Sequence, residues 1–135
     1  MKQKLLLLSL LGSTLLFAKE ESLSAQALFQ QKCTTCHTMQ RPTSPENVMA
    51  PALNGIMKHI KMRYPLKADA VAFINDYVMT PSKEKAICKP QKLQHFGLMP
   101  SQKGNVSKEE LNHIANWMFE HYPEQGFKGH QKKKF

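Results

Sequence analysis

The chain has 135 residues, and 19 lysine and arginine residues against 10 aspartate and glutamate residues give it a formal net charge of +9. This length suits one small domain and excludes a large multidomain protein. The basic balance favours acidic partner surfaces or anionic membranes. No nucleic-acid fold signature accompanies the basic residues, so the sequence does not indicate nucleic-acid binding.

Residues 1–18 have the pattern of a secretory signal peptide. Lys2 and Lys4 give a positive start, and a mainly apolar run follows over residues 5–17. The run is too short to span a bilayer comfortably. We therefore predict cleavage near Ala18, export to the periplasm and no stable membrane insertion afterwards. Loss of the two lysines would lower the formal charge from +9 to +7.

Residues 33–37 read Cys-Thr-Thr-Cys-His, which is the attachment motif of a c-type haem. Cys33 and Cys36 lie about one helical turn apart, so each thiol can form a thioether to one vinyl group of the same porphyrin. His37 follows directly and can ligate the iron as its proximal ligand. A thioredoxin-like redox pair would need a βαβ pattern, and a zinc site would need a second ligand pair, whereas Cys88 is the only other thiol.

The segments on either side of this motif predict short helices joined by loops. We predict helices over residues 24–32, 56–64 and 66–79, and a broken helix over residues 83–96 that Pro90 interrupts. The loop at residues 50–55 contains Pro51, whose carbonyl is the candidate acceptor for the remaining N–H of a metal-bound His37. The alternative is an ordinary turn before a helix.

Met99 is the predicted second ligand of the iron. It lies between Gly97, which permits a sharp turn, and Pro100, which prevents a helix from continuing, so a loop can present the thioether. Met49 is the main rival, and His95 is the one other histidine worth testing. The remaining methionines are either too close to His37 along the chain or at positions typical of a helix core, and they are Met39, Met57, Met62, Met79 and Met118.

The last helix has the clearest boundaries. Ser107 and Glu110 form a predicted capping box at its start, and Pro123 ends it. An apolar stripe along this helix contains Leu111, Ile114, Ala115, Met118 and Tyr122. We predict a domain over residues 19–122, followed by a flexible basic tail over residues 123–135.

The chain resembles the class I c-type cytochromes, especially the small bacterial periplasmic ones with a single haem. Four features carry the resemblance in chain order, and they are Ala25, Phe29 and Cys33 of the first helix, the Pro-Ala-Leu-Asn-Gly sequence of residues 51–55, Met99 with Pro100, and Ile114 with Trp117. The resemblance implies an all-α fold of short helices wrapped around one covalently bound haem c. It also implies that the first and last helices cross at these residues, with Ala in place of the usual Gly at position 25.

A haem iron held by His37 and Met99 has no vacancy for a small reactant, and its thioether ligand favours the ferrous state. We therefore expect a periplasmic one-electron carrier rather than an enzyme, with acidic docking surfaces on an oxidase, a peroxidase or a quinol-oxidising complex as its partners, and a monomeric state. One alternative is a haem subunit of a larger respiratory complex. Another is a haem enzyme or gas sensor whose distal site is open. The role of Cys88 stays open between burial, a disulfide to a partner and iron ligation.

Overall fold

The computed structural model describes residues 23–44, 46 and 48–129. The predicted signal peptide and residues 130–135 of the predicted tail lie outside this part of the chain. The described residues form five helices and no strand, which confirms the predicted all-α class. The helices are α1 Ala25–Cys33, α2 Leu53–Arg63, α3 Lys67–Met79, α4 Pro90–Phe96 and α5 Lys108–His121.

Helix α5 is the centre of the fold, because α1, α2 and α3 all pack against it. The capping box at its start is present: Glu110 N–H donates to Ser107 Oγ at 3.0 Å, and Ser107 N–H donates to Glu110 Oε2 at 2.8 Å. The whole predicted apolar stripe of α5 is buried. Two sequence patterns, the capping box and the apolar residues at helical spacing, thus define this helix.

The predicted meeting of the first and last helices is confirmed at two aromatic residues. The ring centroids of Phe29 in α1 and Trp117 in α5 are 5.5 Å apart, and the rings are tilted by 45°. Such a tilted pair adds to the apolar area that the crossing buries. Ser24 begins α1 by accepting a hydrogen bond from Ala27 N–H at 3.2 Å. The cap and the crossing together fix the helix that ends at Cys33.

Three local predictions differ from the structure. Helix α2 begins at Leu53 rather than at residue 56, because residues 53–55 already turn helically after Pro51. Pro90 begins α4 and does not interrupt a longer helix. At the first position of a helix the missing N–H of proline costs nothing, since that group has no partner inside the helix. Met62, predicted to fill the core, is 72% exposed on the outer side of α2.

The segment that follows α5 returns to α2. Lys58 Nζ in α2 donates a hydrogen bond to the carbonyl oxygen of Lys128 at 3.1 Å. Glu124 hydrogen-bonds to Asn54 at the beginning of α2. The division into signal peptide, domain and flexible tail stays a prediction.

Candidate haem-binding site

The Cys-x-x-Cys-His motif forms the turn in which α1 ends. The N–H groups of Cys36 and His37 both donate to the carbonyl oxygen of Cys33, at 3.2 and 2.9 Å. Both thiols and the imidazole are half-buried along this turn. Burial raises the pKa of the Cys33 thiol to about 11, with Cys36 acting in the same direction and Lys32 against it.

His37 and Pro51 lie together, although 14 residues separate them in the sequence. His37 Nδ1 is 2.9 Å from the carbonyl oxygen of Pro51. Because a carbonyl can only accept, Nδ1 carries the proton and Nε2 keeps its lone pair. Burial lowers the pKa of His37, and the hydrogen bond to Pro51 acts in the opposite direction. A neutral, oriented imidazole with an available Nε2 is the form in which histidine binds a metal.

Further hydrogen bonds join the two chain segments that carry His37 and Pro51. These segments, residues 37–40 and 50–54, are called here the proximal loops. Leu53 N–H donates to the carbonyl oxygen of Thr38 at 2.8 Å. Glu124 accepts from Gln40 at 2.5 Å and from Asn54 at 3.1 Å. The bonds of Glu124 to Gln40 and Asn54 could not be predicted from the sequence, because no local pattern links residues 84 and 70 positions apart.

Met99 lies on a different part of the chain, called here the distal segment (residues 97–106). Gly97 has φ of +76°, so the predicted sharp turn is present, and Met99 itself is half-buried. Its rival Met49 is 65% exposed. His95 is exposed and packs edge-on against the ring of Phe96 at 4.6 Å.

Bonds to two helices hold the distal segment. Ser101 Oγ donates to the carbonyl oxygen of Met79 at 2.7 Å, at the end of α3. Gln102 N–H donates to the carbonyl oxygen of Val78 at 3.0 Å. Farther along, Asn105 and Lys32 exchange two bonds, Lys32 Nζ to Asn105 O at 2.7 Å and Asn105 Nδ2 to Lys32 O at 3.3 Å. Lys32 directly precedes Cys33, so the distal segment is tied to the beginning of the attachment motif.

Two surface depressions and the third cysteine lie apart from the Cys-x-x-Cys-His motif. An open depression of about 540 Å³ lies between the beginning of α1 and α5, and another of about 370 Å³ lies between α2, α3 and the segment at residues 84–87. Neither is lined by Cys33, Cys36, His37 or Met99. Cys88 is half-buried, and none of the three cysteines forms a disulfide.

In residues 23–44, 46 and 48–129 no group of three or more histidine, cysteine, aspartate or glutamate side chains could hold a metal ion. No helix within those same ranges has the length and apolar character needed to cross a bilayer.

The residues of the motif fit a covalently attached haem. Both cysteines lie in one hydrogen-bonded turn, and the imidazole beside them has Nδ1 bonded and Nε2 available. This donor set would supply two thiols for thioether bonds to the haem and one imidazole nitrogen for its iron.

Comparison with known proteins agrees with this chemistry. The family described as "Cytochrome C oxidase, cbb3-type, subunit III" matches residues 21–118. An uncharacterized protein of Aquifex aeolicus (strain VF5) is 29% identical over 136 residues, which cover 88% of this chain and 88% of the relative. No solved structure matches the chain. Because the family match spans more than half of the sequence, the chain belongs to this family of c-type cytochrome domains, with haem c as its covalent cofactor and haem-based electron transfer as its chemistry.

Proposed function

We propose that this protein is a periplasmic carrier that accepts and donates one electron at a time. The observation that carries the proposal is the hydrogen bond between His37 Nδ1 and the Pro51 carbonyl at 2.9 Å, directly after a turn that contains both cysteines. Such a bond orients a histidine for metal ligation and raises its basicity. A carrier needs this rigidity, because a ligand that stays in place in both oxidation states keeps reorganisation small.

Each site residue has a separate role in this proposal. Cys33 and Cys36 tether the cofactor, His37 supplies the proximal nitrogen and Met99 supplies the distal thioether. The haem iron supplies a one-electron couple when bound. Pro51 orients His37, while the bonds of Ser101 and Gln102 hold the segment that carries Met99.

Substitution of Met99 by alanine tests its assignment as the distal ligand of the iron. The ferric wild-type protein is expected to show the weak absorption band that arises from charge transfer between a methionine thioether and iron, and Met99→Ala is expected to lose it. Met49→Ala is the matched control, since Met49 is an exposed methionine on another loop. A band that survives in Met99→Ala and disappears in Met49→Ala would reassign the distal ligand to Met49.

Carbon monoxide separates the carrier from an enzyme or gas sensor with an open distal site. A carrier with His37 and Met99 as ligands leaves no vacant position, so the reduced wild-type protein is expected to bind carbon monoxide poorly, and Met99→Ala to bind it readily. Ready binding by the wild-type protein would favour the open-site alternative.

A second candidate function is a haem subunit of a larger respiratory complex. The observation that favours it is the description of the matched family as subunit III of a cbb3-type cytochrome c oxidase. Gel filtration of a native periplasmic and membrane extract tests it, with the haem absorbance as the signal. Elution at the size of a small monomer supports the carrier, whereas elution with a large membrane assembly supports the subunit.

The partners of the proposed carrier are proteins with acidic docking surfaces, because the formal charge of +9 falls only to +7 when Lys2 and Lys4 are removed, and long-range attraction accelerates encounter. Export through the signal peptide at residues 1–18 belongs to the same proposal. Electron transfer to an acidic partner is expected to slow as ionic strength rises, since salt screens charges that lie more than about 10 Å apart at 0.1 M.

A further inference from the structure

We propose that Glu124 is a positioning residue for His37, because its carboxylate bridges the two proximal loops and so holds the imidazole on the Pro51 carbonyl. This inference rests on the proposed function, in which His37 ligates the haem iron. Glu124 lies beyond α5, in the segment whose sequence alone predicts a flexible tail. Nothing in the attachment motif points to it.

The geometry of the bridge uses both oxygens of one carboxylate. Glu124 Oε1 accepts from Gln40 Nε2 at 2.5 Å, and Oε2 accepts from Asn54 Nδ2 at 3.1 Å. Glu124 N–H donates in turn to Asn54 Oδ1 at 2.7 Å. Gln40 follows His37 by three residues, and Asn54 follows Pro51 by three residues. One side chain therefore binds both loops near the two residues whose contact orients the proposed ligand.

The Asn54 half of the bridge is the stronger half. Asn54 is only 3% exposed, and both polar atoms of its side chain bond to Glu124. A buried amide that loses its partners is left unsatisfied, which destabilises the state in which it is buried. Helix α2 also has no acidic residue in its first turn and no side-chain cap, and a carboxylate beside Asn54, its second residue, offsets the positive end of the helix. Gln40 is exposed, so its bond contributes less.

Two other bonds of the described residues join the proximal loops directly: Leu53 N–H to Thr38 O, and His37 Nδ1 to Pro51 O. If the bridge is removed, the loops separate more often, and the His37–Pro51 bond opens with them. An imidazole that loses this acceptor is a weaker base and a less fixed ligand. Glu124 thus acts on the iron site through His37, without touching it.

The rate at which the His37 Nδ1 proton exchanges with deuterated buffer measures this effect. Proton NMR of the reduced holoprotein monitors this exchange. Glu124→Ala is expected to accelerate the exchange about tenfold, from the loss of a charged, partly buried hydrogen bond. The Ile114 amide in the buried stripe of α5 serves as the reference within the same sample. A general loss of stability accelerates both protons, whereas loss of positioning accelerates the His37 proton alone.

Two matched variants distinguish the effect of the hydrogen bonds of Glu124 from the effect of its negative charge. Glu124→Gln removes the charge but can still accept from Asn54 and donate to a turned Gln40 amide, so it is expected to accelerate the exchange much less than Glu124→Ala does. Glu120→Ala removes an equal charge from the exposed end of α5, where Glu120 pairs with Lys67, and it is expected to leave the His37 proton unchanged. Equal acceleration by Glu124→Ala and Glu124→Gln would assign the effect to charge and overturn the bridge.

Gln40→Ala keeps the inference testable if Glu124→Ala does not fold. Because Gln40 is exposed, this variant should fold, and a smaller acceleration of about threefold is expected. Where Glu124→Ala folds, adding Gln40→Ala to it should accelerate the exchange no further, since both changes break one bridge. If the His37 Nδ1 proton exchanges at the wild-type rate in both Gln40→Ala and Glu124→Ala, the bridge is contradicted but the proposed function is not. A wild-type protein that carries no covalent haem contradicts the proposed function, and the bridge with it.

Discussion

Apart from the exposed Gln40, the proximal loops are joined to each other by buried or half-buried groups, whereas two of the residues that tie the distal segment to helices α3 and α1, Ser101 and Asn105, are exposed. On the proximal side, Leu53 is fully buried and Asn54 nearly so. On the distal side, Ser101 and Asn105 are exposed, although their hydrogen bonds are short. The same proposed cofactor would therefore have one rigid face and one face that opens more easily.

Ligand exchange at the iron is expected on the side whose chain segment opens more easily. Segments with few buried contacts and exposed hydrogen bonds open locally at a lower free energy than core segments do. His37, the proposed proximal ligand, is on the side that contains the buried Leu53 and Asn54. We therefore expect external ligands to displace Met99 and to leave His37 in place.

The greatest loss of stability is expected on the proximal side, and one leucine on each side allows the comparison. Leu53→Ala on the proximal side should lower the free energy of unfolding by about 2–5 kcal/mol, because a fully buried side chain leaves a cavity. Leu98→Ala on the distal side should lower it by about 1 kcal/mol or less, since Leu98 is 39% exposed and leaves no enclosed cavity. Chemical denaturation of both holoproteins provides the measurement. Equal losses in the two variants would remove the contrast between the sides.

An intermediate effect is expected from the bond that anchors the distal segment to α3. Ser101→Ala removes the hydrogen bond that Ser101 Oγ donates to the Met79 carbonyl, a change of about 1 kcal/mol, together with the longer bond that Ser101 Oγ accepts from Lys103 N–H at 3.3 Å. Displacement of Met99 by added imidazole should then require roughly fivefold less ligand. Titration followed by the charge-transfer band measures this affinity. Ser82→Ala is the control, because it removes a hydrogen bond of similar kind, Lys85 N–H to Ser82 Oγ at 3.3 Å, from the preceding loop. Equal affinities in Ser101→Ala and the wild type would show that this bond does not hold Met99.

Prediction from the sequence succeeded where the signal lies within a few neighbouring residues. The capping box of Ser107 and Glu110, the positive φ of Gly97 and the apolar stripe of α5 are all local patterns, and the structure contains each of them. The pairing of Phe29 with Trp117 followed from a family resemblance rather than from local chemistry. These features establish the fold and the position of the attachment motif.

Prediction failed where a bond joins distant residues or where a local rule has two outcomes. The bonds of Glu124 to Gln40 and Asn54 cross 84 and 70 positions, and a glutamate in a Gly-, Gln- and Lys-rich segment carries no sign of its partners. Pro90 illustrates the second case, because proline both breaks a helix and begins one. Only the surrounding packing decides between such outcomes.

The smallest expected effect concerns the end of α3, next to the carbonyl groups that hold the distal segment. Hydrogen bonds from Lys85 and Thr80 lower the pKa of Asp76 below its usual value of 3.8. A carboxyl whose pKa is lower in the folded state stabilises the fold above pH 3.8, and this contribution disappears as the pH falls through the lower, folded value. Asp76→Asn should therefore weaken the loss of stability that the wild type shows as the pH falls below 3.8, and only slightly, because the pair is exposed.

Denaturation midpoints at several pH values measure this dependence, and Lys85→Gln gives the matched test of its cause. Removal of Lys85 takes away the largest contribution to the lowered pKa, so Lys85→Gln should weaken the pH dependence in the same direction as Asp76→Asn. The double variant should add little to Asp76→Asn alone, since Lys85 acts on this dependence through Asp76. An unchanged acid dependence in Asp76→Asn would mean that the end of α3 is held without this pair, and that acid does not loosen the distal segment through it.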